Sequence, residues 1–412
     1  MKTINNVTKT TIALLVAVVL GSSLVSCKKE GCTDSTAINY NSKAKKDDGS
    51  CKFTVGESEL VGSITGTKTL DASISYTITG PVIVENGGVL EIPAGTMIKA
   101  KKGFNNYILV LQGGKIYANG TAENPITMTA DIDNAEPGHW GGLIINGNAP
   151  LAGGTIGSTE ISSAFQYGGT DSHDNSGKIT YLILAYTGAR SSADVEHNGL
   201  TLNGVGDGTI IENLYIPYGA DDGVEFFGGT VNVTNLLVVN SDDDMFDFTQ
   251  GYAGKLENAY GIWQVGYSSS ESDPRGMEVD GNLDGNFPTQ TGQSNFSVKN
   301  VTFDLRLTQA TDGDVSIVSN KMQDVIKIRR GAKVNVINAL LKGTGTVVDL
   351  IDFNDGKGNG DITSKISLTN NLSAGHVLGK EVNPAVGYSD AKIESGNTGC
   401  PTSIFAWTKY NF

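Results

Sequence analysis

Short runs of alternating apolar and polar residues recur along most of this chain, and in its middle they recur at a fixed offset. Asn213-Leu-Tyr-Ile216 returns 22 positions later as Asn235-Leu-Leu-Val238, and Asp221-Asp-Gly-Val-Glu-Phe226 returns at the same offset as Asp243-Asp-Met-Phe-Asp-Phe248. Gly199-Leu-Thr-Leu202, Gly276-Met-Glu-Val279 and, more loosely, Val325-Ile-Lys-Ile328 and Val348-Asp-Leu350 carry the same phrase. Asn-apolar steps come back at Asn258-Ala259, Asn300-Val-Thr-Phe303 and Asn338-Ala-Leu-Leu341. Alternation with a period of two marks a strand with one buried face. A repeat of about 22 residues holding two or three such strands has one economical solution, a parallel β-helix whose coils stack about 4.8 Å apart. A β-sandwich would be built from hairpins and needs no fixed long period.

The recurring Asn fits a turn position with left-handed φ and an amide ladder along the stack. Gly87-Gly88, Gly113-Gly114, Gly141-Gly142 and Gly228-Gly229 read as turns that no Cβ can crowd. The stretches Val82–Ile98, Ile108–Ile116, Gly120–Met128 and Trp140–Pro150 fit the same plan with longer coils. The expected fold is therefore all-β, a parallel β-helix over residues 57–412.

Composition agrees. Gly is 53 of 412 residues and only 18% of residues are charged, a mixture that suits strands and turns better than helices, where each Gly costs roughly 1 kcal/mol. With 30 Lys+Arg against 44 Asp+Glu, the net charge is −14. No nucleic-acid partner is expected, since phosphate neutralisation needs dense Lys and Arg. An apolar fraction of 39% excludes wholesale disorder.

The N-terminus carries an address. Lys2 and Lys9 precede the apolar run Ile12–Leu20, which is too short for a bilayer core needing about 20 helical residues, so residues 1–26 read as a signal peptide. Leu24-Val25-Ser26-Cys27 resembles a bacterial lipobox. That resemblance implies acylation (palmitate) of Cys27 and a lipid anchor in the outer membrane, and no later segment is long and apolar enough to cross a membrane. Lys28-Lys29-Glu30 faintly resembles the export signal of surface lipoproteins, which makes the cell surface the expected location. Residues 27–56 form a tether and small module in which Cys32 and Cys51 flank a polar loop and are expected to form a disulfide in an oxidising compartment. Cys400 is left over. Asp34, Asp47 and Asp48 offer oxygen ligands for Ca²⁺, but Lys43, Lys45 and Lys46 oppose a divalent cation, so a plain stapled stalk is the preferred reading.

The coil stretches above, together with Tyr167-Gly-Gly-Thr-Asp-Ser-His-Asp-Asn-Ser-Gly177 and Asp221-Asp-Gly-Val-Glu-Phe-Phe-Gly-Gly-Thr230, resemble a family of right-handed β-helix lipoproteins and secreted proteins of Bacteroidota. The likeness is dense over residues 60–265 and returns at Phe405, Trp407 and Phe412. It implies export, a pectate-lyase-like solenoid and a surface role, and it implies no particular reaction.

Candidate chemistry lies on the polar face of the repeat. If Val224 and Phe226 point inward, Glu225 points out. The same register places Thr201, Glu225, Asp247, Glu278, Lys327 and Asp349 along one outer face, with Glu225, Asp247 and Glu278 on successive rungs about 5 Å apart. Acids this close raise one another's pKa or recruit a cation. An all-oxygen set favours Ca²⁺ over zinc, with Asp221, Asp222, Asp243, Asp244 and Asp247 as ligands. Glu225, Glu278 and Trp263 are candidate ligand contacts, and Tyr218, Tyr252, Tyr260 and Trp263 are expected to be exposed rings for stacking on sugar.

Binding of a glycan or a surface protein is the first functional reading. A polysaccharide-cleaving enzyme is the second. Glu225 with Asp247, or Asp247 with Glu278, would form a retaining-glycosidase pair at about 5–5.5 Å; a Ca²⁺-dependent lyase would take Lys327 or Arg329 as base, although no Arg-x-Pro-x-x-Arg stretch is present. A structural spacer with a solvated face is the third. The zinc-protease, serine-hydrolase and phosphate-loop motifs are absent. His139, His173, His197 and His376 lack ligand spacing, and His139 and His197 read as turn or packing residues. Asp352–Asp361 misses the Ca²⁺-loop offsets and reads as a turn.

Overall fold

The computed structural model describes residues 29–33, 39–46, 48, 50, 58–192, 195–307, 321–373 and 376–412. The chain divides into two compact units, Met1–Gly56 and Glu57–Phe412. In the smaller one, Glu30 and Lys46 form a parallel bridge and a 2.6 Å ion pair, and Cys32 is buried. The Asp48 carboxylate accepts from the Ser50 N–H. Cys27, Cys51, Asp34 and Asp47 lie outside the described residues, and with them the acylation and the Cys32–Cys51 pairing.

In the larger unit, 25 strands from Glu59–Ile64 to Ala391–Ile393 join one continuous sheet. Their pairings are parallel, coil upon coil. The exception is an antiparallel hairpin, Gly157–Thr159 with Ser162–Tyr167. This is the all-β parallel β-helix that the repeat predicts. Among the described residues, no helix is long and apolar enough to cross a membrane.

Alternation fills the lumen. Val224, Phe226, Phe246, Phe248, Met277, Val279, Ile326 and Ile328 are fully buried. Because equivalent positions stack, Phe226 lies on Phe248 at 4.7 Å between ring centroids, and Phe296, from the strand Asn295–Arg306, packs tilted against Phe248 at 4.4 Å. Burying each such ring contributes about 1.5–3 kcal/mol.

The asparagines form the predicted ladder. Asn213, Asn235, Asn258, Asn300 and Asn338 all take left-handed φ between 56° and 61°. Each Nδ2 donates to the Oδ1 one coil below, at 2.9, 2.9, 2.8 and 2.8 Å from bottom to top. Asn and Gly tolerate this backbone where most residues are strained. Tyr181, in register with Asn213 one coil below, also takes left-handed φ at 49°.

The coil spacing departs from expectation. Successive ladder asparagines are 22, 23, 42 and 38 residues apart. The first coil is no longer than the middle ones, with Thr69 paired to Glu91, but the next is longer, with Glu91 paired to Tyr117 and Met97 to Thr127, 26 and 30 residues on. Still more chain leaves between Tyr117 and its partner Lys178, and again between Asn258 and Asn300. Gly141-Gly142 is also not a turn. It lies within the strand Trp140–Asn146, where a Cβ on Gly141 would come within 2.8 Å of His197 and Tyr107. The C-terminal segment lies on the outside of the coils, with Phe405 and the free, buried Cys400 against Leu237, Val239, Tyr260 and Ile262.

Asn258→Ala removes two ladder hydrogen bonds and forces Ala into left-handed φ, which should cost about 2–4 kcal/mol. Asn258→Gly keeps the backbone and should cost about 1 kcal/mol less. Urea unfolding measures both, and equal losses would show that the left-handed turn contributes nothing.

Candidate functional site

The outward row passes from Leu109 and Ile144 through Thr201, Glu225, Asp247, Glu278 and Lys327 to Asp352 and Asn383. Asp349 is therefore not on it; it pairs with Asp324 instead. Two apolar-acid-apolar triplets follow one another in this stretch, Val348-Asp-Leu350 and Ile351-Asp-Phe353, and the second is the one that stacks on Ile326-Lys-Ile328. Asp352, read as part of a turn, takes the place in the row above Lys327, with Asn383 above it.

The row is outside the lumen yet not on an open face. Glu225 and Glu278 are only 8% and 5% exposed. Extra chain covers them and leaves a cleft of about 430 Å³. Its floor is Glu225, Asp247 and Glu278, with Phe227, Thr249 and Asp280 two residues further along the same strands. The hairpin contributes Ser158, Glu160 and Tyr167; Glu196, Leu283, Asp284, Arg329 and Arg330 complete the walls. The hairpin is held by the Tyr167 hydroxyl donating to Gln250 Oε1 at 2.7 Å. Leu151, Tyr167 and Phe227 pack together, with Leu283 against them. The Gly153 N–H donates to the Thr291 carbonyl at 2.7 Å, joining the two covering segments.

Turns just before the floor strands bring in more acids. Three groups of carboxylates converge, each with oxygens within 4.8 Å of one another: Asp221, Asp222 and Asp243; Asp222, Glu225 and Asp247; and Asp244, Asp247 and Glu278. Asp221, Asp222, Glu225, Asp243, Asp244, Asp247 and Glu278 are thus in one contiguous cluster, with Asp222 and Asp247 each shared between two groups, whereas Asp349 falls in a separate group with Asp324 and Asp352. Some oxygens are satisfied. Asn198 Nδ2 donates to Glu225 at 2.6 Å, the Asp244 N–H to Asp222 at 2.9 Å and the Arg275 N–H to Asp244 at 2.7 Å.

Cations reach only part of the cluster. Arg275 pairs with Glu278, with Asp273 at 2.6 Å and with Asp324 at 3.3 Å. Arg329 pairs with Glu278 and, at 2.6 Å, with Asp280, which Arg330 also reaches at 2.5 Å. Lys327 pairs with Asp352 and lies 3.9 Å from Asp324. Lys327 and Arg329 are therefore both held by carboxylates. Asp247 makes no ion pair with any described residue, and its buried Oδ1 has no hydrogen-bond partner.

Burial, followed by the charges of neighbouring acids, drives the carboxyl pKa values up. Asp222, Glu225, Asp244 and Asp247 lie well above the ordinary range. Asp243 is pushed up to about 7 by burial and by Glu278. Glu160 is open to solvent at the mouth but hemmed in by protein, and burial together with Glu196 and Asp284 raises it to about 7. Asp280 and Asp324 rise to about 6. Clustered, shifted acids in a cleft are characteristic of functional sites.

The expected sugar-stacking rings are elsewhere. Trp263 is 1% exposed and packs in the lumen. Tyr252 is buried there too, its hydroxyl donating to the Val231 carbonyl. Tyr260 lies beneath the C-terminal segment and bonds Asp304 at 2.9 Å. Tyr218 is half-buried and stacks on Tyr186. Nearness in sequence to the acids did not reveal which face each ring occupies. Conversely, Asp280 follows Glu278 by two and could have been found by alternation, whereas Glu160, Glu196 and Asp284 come from segments without a repeat. The histidines stay apart: His139 is buried against Asp131 at 2.9 Å, His173 is exposed and bonds Asp207 at 2.6 Å, and burial lowers His197 to about 4. The side chain of His376 is outside the described residues.

Fold and site together define a β-solenoid with an acid-floored cleft on its outer wall. The chain belongs to the family of pectate-lyase-like β-helix domains, which it matches over residues 62–409. No curated protein sequence matches it. A solved structure with some likeness is the full-length tailspike protein 2 of Escherichia coli O157:H7 bacteriophage CAB120, at 9% identity and a TM-score of 0.21, covering 78% of this chain and 44% of that one. A likeness at that level says nothing about activity.

Burial and mutual repulsion favour the protonated form of the clustered carboxyls when no cation is bound. They contribute stability below their unfolded values near 4, and that contribution is lost as pH rises through about 6–7. In chelator, the melting temperature should fall between about pH 5 and about pH 8. Asp247→Asn should shrink that fall and stabilise the domain by about 1–3 kcal/mol at the upper pH; a pH-independent melting temperature would contradict the assignment.

Proposed function

We propose that this chain is an exported, lipid-anchored β-helix protein whose acidic cleft binds a polysaccharide at the cell surface, assisted by Ca²⁺. The observation that carries the reading is Asp247, shared by two converging carboxylate groups and left with an unpartnered buried oxygen. So many neighbouring carboxylates are costly without protons or a cation, and an all-oxygen set with adaptable geometry fits Ca²⁺. Asp222, Glu225, Asp244, Asp247 and Glu278 would hold it, with Asp221 and Asp243 extending the site. A bound cation would offer coordination to sugar hydroxyls, while the remaining carboxylates accept hydrogen bonds from the same sugar.

One observation favours cleavage as a second reading. Glu225 and Asp247 are direct partners on adjacent coils, the spacing at which one carboxyl can attack a glycosidic carbon while the other protonates the leaving oxygen. The Cys27 anchor and an outer-membrane location rest on the lipobox-like sequence alone.

Elemental analysis of the purified mature protein should find about one calcium per chain, and a glycan array should find bound sugar. Asp247→Ala should lose both with the fold intact by circular dichroism. Reducing ends released by the wild type but not by Asp247→Ala would favour cleavage. A wild type with neither ion, binding nor turnover would leave a spacer. Separately, Cys27→Ala should move the protein from the membrane pellet to the soluble fraction; retention in the pellet would rule out the lipid anchor.

A further inference from the structure

Resting on the polysaccharide reading, we infer that the cleft selects a glycan bearing free ammonium groups, an amino-sugar polymer, over a polyanionic or N-acylated one. The argument begins with charge. Seven acids and two arginines line the cleft, and Arg190 and Arg275 pair with Glu196 and Glu278 from outside the lining, so acids outnumber cations seven to four. Both lining arginines are already committed to Asp280, and one of them to Glu278 as well. Glu225 and Asp247 on the floor, and Glu160 and Asp284 at the mouth, make no ion pair with any described residue. A divalent cation on the floor would engage Glu225 and Asp247 and still leave Glu160 and Asp284 facing the entrance. A polyuronate such as pectate would meet this field with like charge, and no lining cation is free to receive it.

Hydrogen-bond capacity points the same way. Once an ammonium or a metal ion takes the place of their protons, the carboxylates only accept, so a cationic ligand meets many acceptors and few donors. The buried Oδ1 of Asp247 is one such acceptor without a donor. A hexosamine is a donor-rich ligand: its ammonium brings three N–H groups and its ring hydroxyls bring more. A basic peptide also brings charge, but each residue adds a backbone carbonyl acceptor, which this lining would leave unmatched. The apolar groups in the lining, Tyr167, Phe227 and Leu283, pack on one another and give a peptide side chain no open pocket.

The test is calorimetric titration of the purified mature protein, at low ionic strength, with a glucosamine tetramer, its N-acetylated counterpart, a galacturonate oligomer and an oligolysine. The glucosamine tetramer should bind about tenfold or more tighter than the N-acetylated form, and the galacturonate should not bind. Glu160→Gln with Asp284→Asn, both at exposed positions, should reduce glucosamine affinity about tenfold and flatten its salt dependence, with the melting temperature unchanged. Equal or tighter binding of the N-acetylated or galacturonate oligomer would overturn this inference and leave the polysaccharide reading standing. Oligolysine binding without any sugar binding would overturn both in favour of a protein partner. Absence of all binding would overturn both outright.

Discussion

A parallel β-helix makes each side chain the neighbour of its own equivalent one coil away, at about 4.8 Å. Everything else in this molecule follows from that constraint. For an amide it is favourable, because each Asn offers both a donor and an acceptor to identical neighbours; hence five asparagines in one ladder. For a phenyl ring it is favourable too, hence the stacked Phe226 and Phe248. For a carboxylate it is unfavourable, because an ionised acid has nothing to donate to its copy. Glu225, Asp247 and Glu278 therefore occupy an arrangement that the stacking geometry itself opposes.

The covering segments make this opposition larger. A row of acids on an open strand face would be screened by water and salt. The hairpin Gly157–Tyr167 and the chain after Asp280 replace that water with protein, and Arg275, Arg329 and Arg330 offset only the upper end of the row. The lower end, at Glu225 and Asp247, is left short of positive charge. Natural chains retain such a conflict between local chemistry and global fold chiefly where function requires it, and here the conflict coincides with the cleft.

What could be read from the sequence divides along the same line. Stacked positions write a period into the chain, so the coils, the asparagine ladder and the acids Glu225, Asp247 and Glu278 were legible from repeats alone. Register failed only where the phrase was ambiguous, at Val348–Phe353, where two triplets compete and Asp352 wins over Asp349. Nothing in a repeat describes the segments that interrupt it. The recess, and the contributions of Glu160, Glu196 and Asp284, depend on contacts between insertions far apart in sequence. Trp263 and Tyr260 failed for another reason: closeness to the acids along the chain does not fix which side of the wall a ring faces.

The asparagine ladder also has a direction. Every amide donates toward the lower coil, so the side-chain dipoles add head to tail from Asn338 down to Asn213, much as peptide dipoles add along an α-helix. Aligned hydrogen bonds polarise one another, which makes an inner rung worth more than a terminal one. Such a chain leaves an unsatisfied acceptor at one end, and here Asn338 Oδ1 takes the backbone N–H groups of Thr398 and Gly399. The C-terminal segment thus serves the ladder as a capping residue serves a helix, and it ties the last residues of the protein electrostatically to coils that begin almost two hundred positions earlier.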